Sequence, residues 1–80
     1  MTTTYSKKSL KAMIHMDKST RKRISVAISE IPNGDILPLK GYTNTYRLRV
    51  GDWRIIFSYV EDDEILVDKI MPRGDVYKGM

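Results

Sequence analysis

The stretch from Tyr46 to Tyr59, Tyr-Arg-Leu-Arg-Val-Gly-Asp-Trp-Arg-Ile-Ile-Phe-Ser-Tyr, reads as a β-hairpin. Alternation puts Tyr46, Leu48 and Val50 on one face and Arg47 and Arg49 on the other. Gly51-Asp52 supplies a two-residue turn, in which glycine takes the positive φ that a tight hairpin requires. With those two residues as the loop, Val50 faces Trp53, Arg49 faces Arg54, Leu48 faces Ile55 and Arg47 faces Ile56. One face then carries Tyr46, Leu48, Val50, Trp53, Ile55 and Phe57, which is a core face. The other gathers Arg47, Arg49 and Arg54 beside Ile56. Like charges directly opposite on a sheet are unfavourable by a few tenths to about 1 kcal/mol. A solvated outer face would mix signs more easily, so the arrangement favours an anion site over a merely soluble surface.

Eighty residues make one domain near the lower limit for a self-sufficient core. Without cysteine there is no disulfide, thiolate ligand or thiol nucleophile, and a single histidine, His15, argues against a histidine-based metal site. No stretch approaches the ~18 apolar residues of a membrane span, and Met1–Tyr5 contains no apolar signal core. A cytoplasmic protein with no cofactor and no membrane partner is the expectation. Net charge is +4 and the pI about 9.5, which suits a polyanionic partner. The first thirty residues hold Lys7, Lys8, Lys11, Lys18, Arg21, Lys22 and Arg23 against Asp17 and Glu30. Negative charge concentrates in Glu61-Asp62-Asp63-Glu64.

Thr2–Tyr5 suits an edge strand. Ser6 supplies an N-cap for a first helix of about residues 7–16, with Leu10, Met13 and Ile14 at helical spacing. Asp17 caps a second helix running to about Ile31, whose Ile24, Ala27, Ile28 and Ile31 follow the i, i+3, i+4, i+7 template. Pro32-Asn33-Gly34 ends it. The basic start of this helix, Lys18 to Arg23, reads first as a solvated face and second as a contact for RNA phosphate. Residues 33–45 read as a loop over the helices. After the acidic turn, Ile65–Met71 reads as a strand antiparallel to the previous one and ended by Pro72. Its register stays open: with Asp62-Asp63 as the loop, Lys69 joins the arginine side but Asp68 falls on the core side. One more loop residue reverses both.

Phosphate chemistry without a metal needs fixed positive charge to stabilise a phosphorane-like transition state, and groups to move protons. Arg47, Arg49, Arg54 and Arg73 supply charge. Arginine clamps phosphate with its planar fork but cannot act as a base. Tyr77 is the nearby group able to move a proton, and it reads equally well as a ring packing the end of the chain onto the sheet. Other signals carry less. Arg73-Gly74-Asp75 is an integrin-type tripeptide out of context, and the acidic run lacks the spacing and central glycine of a calcium loop. His15 sits beside the apolar stripe of the first helix as a boundary residue. Tyr42, Tyr46, Trp53, Phe57 and Tyr59 suit core packing better than base stacking.

Leu39-Lys40-Gly41, the hairpin run Tyr46–Phe57 and the closing Pro72-Arg73-Gly74-Asp75-Val76-Tyr77 together resemble the RelE/ParE toxin superfamily, and RelE more narrowly. The match spans residues 39–77, and the helical hairpin before it fits the same layout. The resemblance implies the toxin of a type II toxin–antitoxin pair, a metal-independent endoribonuclease that cuts mRNA in the ribosomal A site. Carried over by position, Arg49, Arg54, Arg73 and Tyr77 are the implied catalytic residues and Arg47 the implied backbone contact; Lys69, which makes functional sense facing the arginines, and Lys40 are further candidate RNA contacts. The implied partners are the ribosome, mRNA and a cognate antitoxin with an acidic, partly disordered segment. Arginines 47 and 49 stand where the best-known RelE toxin has lysines, and Pro72 stands where many relatives have histidine. Proton transfer then falls to Tyr77, Lys69 or an rRNA group. Two alternatives stay open: a ParE-like gyrase inhibitor, and a catalytically degenerate antitoxin-binding module. The expected fold is α+β, an N-terminal two-helix hairpin on one face of a small, mainly antiparallel sheet of about four strands.

Overall fold

The computed structural model describes residues 2–72, so Arg73 and Tyr77 lie outside the described residues. In chain order the elements are β1 (Thr2–Tyr5), α1 (Lys7–Ile14), α2 (Lys18–Ser29), β2 (Asp35–Pro38), β3 (Thr45–Val50), β4 (Trp53–Glu61) and β5 (Glu64–Pro72). They form one five-stranded sheet in the order β1-β5-β4-β3-β2, with the helices on one face. β1 runs parallel to β5 and every other pairing is antiparallel.

Both helices start where their caps predict. The Ser6 hydroxyl accepts from the Ser9 amide at 3.1 Å, and the Asp17 carboxylate from the Thr20 amide at 3.1 Å. α2 buries Ile24 and Ile28, and Ile31 follows just past its end. They meet Leu48, Ile55, Phe57, Ile65, Val67 and Ile70 of the sheet, and this is the core. Tyr46, Phe57 and Tyr59 extend it through ring contacts 5.5–5.8 Å between centroids.

α1 departs from its expected stripe. Met13 is buried, but Leu10 is 48% and Ile14 69% exposed. The inward residue is Ser9, whose hydroxyl lies 2.9 Å from the Ser6 carbonyl and 3.0 Å from that of Val67. A small side chain lets the start of α1 approach β5, and the buried hydroxyl is satisfied by carbonyl oxygens there. The basic start of α2 is partly structural as well. Arg21 donates to the carbonyls of Met13, Ile14 and Met16 at 2.9, 3.3 and 2.8 Å, occupying acceptors at the end of α1 that a helix leaves unmet. The Arg23 guanidinium rests on the hairpin turn, where a Cβ on Gly51 would collide with it.

The central hairpin has the expected register: Val50 pairs with Trp53, Arg49 with Arg54, Leu48 with Ile55 and Arg47 with Ile56. Gly51 has φ +59°, which suits the first position of a type II′ turn. Two expectations change. Residues 35–38 are a strand, β2, which makes the sheet five-stranded. The turn after β2 also covers the face opposite the helices, where Leu39 and Tyr42 lie beside Thr45, Ile56, Asp68 and Lys69. The open register of β5 resolves through two bulges. Val60 is skipped between the Tyr59–Ile65 and Glu61–Glu64 pairs, and Asp68 between Phe57–Val67 and Ile56–Lys69. Ile65, Val67 and Ile70 cannot all face the core in an unbroken strand, because Val67 and Ile70 differ in parity. The bulge at Asp68 corrects this, and the carbonyls of Val67 and Asp68 accept from the hydroxyls of Ser9 and Ser6 at 3.0 and 2.8 Å.

Candidate functional site

The sheet face away from the helices holds the candidate site. Alternation along β3 and β4 delivers Arg47, Arg49, Arg54 and Ile56 to it, and the Asp68 bulge delivers Lys69 opposite Ile56. Strand pairing therefore brings together four of the seven residues singled out from sequence: Arg47, Arg49, Arg54 and Lys69. Lys40 lies exposed in the turn after β2. Arg73 and Tyr77 fall beyond the described residues, after β5.

The three arginines occupy different environments. Arg49 is exposed and makes no hydrogen bond or ion pair among the described residues. Arg47 is half-buried, and its guanidinium meets the Asp35 carboxylate at 3.3 Å. Arg54 is only 4% exposed, although it lies on the face that the helices do not cover. Among the described residues its one polar contact is long, from Nη1 to the Trp53 carbonyl at 3.5 Å, and its buried Nε has no hydrogen-bond partner there. No carboxylate pairs with Arg54 among the described residues. Burying an unpaired cation costs several kcal/mol, and a buried guanidinium with an open donor binds an anion more strongly than a solvated one does. Chemically, the arrangement can clamp a phosphate between a dry arginine and an exposed one.

Three residues stand on this face that the sequence did not assign to it: Asp35 was read in a loop, Asp68 with its side open and Tyr42 among core-packing aromatics, whereas Tyr42 is exposed. Asp35 sits opposite Arg49 and balances Arg47, which reading residues 33–45 as a loop concealed. Asp68 accepts from Ser58 Oγ at 2.9 Å, and its outward position depends on the bulge. Tyr42 stands exposed at the rim of a groove of about 230 Å³, lined by Leu39, Tyr42, Thr45, Ile56, Asp68 and Lys69. The parity change from Val67 to Ile70 was the one available sign of the bulge. Among the described residues, no group of three or more potential ligands could hold a metal ion.

The arrangement of a helical hairpin on one face of a five-stranded mixed sheet is shared with solved structures of toxins. The structure superposes on RelE in the RelB–RelE antitoxin–toxin complex of Methanococcus jannaschii with a TM-score of 0.78 and 31% identity, covering 96% of this chain and 98% of that one. For the RelE–RelB complex of Pyrococcus horikoshii the TM-score is 0.71 at 28% identity, covering 91% and 94%. The isolated E. coli RelE toxin shares the fold, with a TM-score of 0.72 at 14% identity over 98% and 92% of the two chains. No family model matches the sequence. The chain is, however, 35% identical over 81 aligned positions to the toxin RelE3 of Methanocaldococcus jannaschii, covering 91% of both. The chain belongs to the RelE toxin family.

Proposed function

We propose that this protein is the toxin of a type II toxin–antitoxin pair and acts as a ribosome-dependent endoribonuclease on mRNA in the A site. The observation that carries the reading is Arg54, a buried guanidinium with an unfilled donor beside the exposed Arg49. Such a pair stabilises charge that grows on a phosphate during attack, because a buried donor already oriented needs little rearrangement. In this reaction the 2′-hydroxyl of the preceding ribose attacks the phosphorus, and the bond to the 5′-oxygen of the next nucleotide breaks. The products are a 2′,3′-cyclic phosphate and a free 5′-hydroxyl. Arg49, Arg54 and Arg73 hold the phosphate oxygens, while Arg47, Lys69 and Lys40 position the strand. The reaction must move a proton from the 2′-hydroxyl and supply one to the leaving oxygen. Arginine is a poor base, so proton transfer falls to Tyr77, with Lys69 or an rRNA group as the alternative carrier.

The partner proposed from family membership is a cognate antitoxin, since the solved M. jannaschii and P. horikoshii relatives are RelB–RelE complexes. A partly disordered acidic segment, ordering on binding, suits the open cationic face. The reading places the protein in the cytoplasm with the ribosome.

The test is to add purified protein to ribosomes programmed with a defined mRNA. The expected result is cleavage within the A-site codon, with a 2′,3′-cyclic phosphate on the upstream fragment. Intact mRNA alongside inhibited DNA supercoiling by gyrase would replace this reading with the ParE-like one.

A further inference from the structure

The groove beside the arginine cluster has a chemistry of its own. Its floor is Ile56, 4% exposed, and Leu39 and Tyr42 supply further apolar and aromatic surface. At one end stand Asp68 and Lys69, brought side by side onto this face by the bulge. The Asp68 carboxylate accepts one bond, at Oδ2 from Ser58, and Oδ1 has no partner among the described residues. The volume, about 230 Å³, lies below the usual range for drug-sized ligands and suits a single planar heterocycle. Ile56 and Arg54 are alternate residues of β4 on this face, so the groove begins about 7 Å from the phosphate clamp.

We propose that this groove is a guanine subsite, in which Asp68 accepts from N1–H and the N2 amino group of a guanine lying against Tyr42, Leu39 and Ile56, while Lys69 donates to O6. An ionised carboxylate only accepts, and an ammonium only donates. Guanine alone among the four RNA bases presents two adjacent donors followed by an acceptor on its Watson–Crick edge. Adenine and cytosine would set a ring-nitrogen acceptor against the carboxylate, and uracil offers one donor. Single-stranded RNA is commonly read in this way, by stacking a splayed base on an aromatic ring and bonding its pairing edge. The inference rests on the ribonuclease reading for the identity of its ligand and adds a determinant of where the strand is cut.

The test is an amide NMR titration of the full chain with 5′-GMP, 5′-AMP, 5′-CMP and 5′-UMP, using inorganic phosphate as a control. GMP is expected to shift the amides of Tyr42, Thr45, Ile56 and Lys69 and to bind about ten- to a hundredfold more tightly than the other nucleotides. Phosphate alone should shift Arg49 and Arg54 and leave the groove unchanged. Asp68→Asn retains an oxygen for the Ser58 hydroxyl and should abolish the GMP preference. Tyr42→Ala, on an exposed turn, should weaken GMP binding with the sheet unaltered. Equal shifts from all four nucleotides, an unresponsive groove, or a GMP preference surviving Asp68→Asn would each overturn the proposal. Ribosomal cleavage assayed in parallel separates the two readings: cleavage without GMP preference retires the groove alone, and selective GMP binding without cleavage retires the ribonuclease alone.

Discussion

Replacing Arg54 with methionine separates the two roles its side chain has in the fold. The aliphatic stem packs in a buried position, and the guanidinium at its end lacks a counter-charge among the described residues. Methionine fills much the same volume and removes the buried charge. Exchanging buried ionic groups for apolar ones of similar shape is often neutral or stabilising by about 1–4 kcal/mol. Arg54→Met is therefore expected to melt at or above the wild-type temperature while losing cleavage by about 10²–10³-fold. A folded Arg54→Met protein with full activity would remove Arg54 from the mechanism. Tyr77 requires a separate test, since it lies outside the described residues. Tyr77→Phe keeps the ring and deletes the hydroxyl, so single-turnover cleavage should fall by about 10²–10⁴ if the phenol moves a proton. Unchanged cleavage would assign Tyr77 to packing.

The elements are held in register by polar contacts at their ends. Ser6 caps α1 and also donates to the Asp68 carbonyl at 2.8 Å, joining the helix start to the bulge that aims Lys69 and Asp68. Ser6→Ala loses the cap and leaves that carbonyl short of a donor. A destabilisation of about 1–2 kcal/mol is expected, seen as a melting temperature lower by several degrees. At the start of α2, the hydroxyl and then the amide of Thr20 hold the Asp17 carboxyl below its usual range. A carboxylate depressed in the folded state adds stability above its unfolded pKa of ~4, and loses it as pH falls through the lower folded value. The gap in melting temperature between wild type and Asp17→Ala should thus be widest near neutrality and close in acid. Sequence made both caps, the apolar stripe of α2 and the whole β3–β4 register legible, because each rests on local spacing with one strong solution. β2 escaped because Asp35-Ile36-Leu37-Pro38 is short and ends in proline, so only its pairing with β3 reveals it. Leu10 and Ile14 were mistaken for core because helical periodicity cannot show that α1 meets β5 through Ser9. The arginine face was legible from alternation alone, but its gradation was not. Which guanidinium is dry, paired or open depends on Asp35 and on burial, and both are set by tertiary pairing.

At the scale of the whole molecule, a net charge of +4 and an open arginine face point to partners that bring negative charge. An acidic antitoxin segment should therefore associate faster at low salt, with the on-rate falling as ionic strength rises. Dissociation should respond less, because apolar anchors carry much of the affinity once the complex forms. Stopped-flow binding across a salt series checks both arms, and an on-rate indifferent to salt would mean that charge does not steer the encounter. The proposed ribonuclease and the gyrase alternative share fold and charge, so the decisive difference lies in what fails first in a cell. The most direct measurement follows protein synthesis and DNA replication together after induced expression, with mRNA 5′ ends mapped at the same times. For a ribosome-dependent ribonuclease, translation stops first, new ends fall within codons, and Arg54→Met abolishes both effects. Replication failing first, with an SOS response and intact mRNA, would contradict that reading.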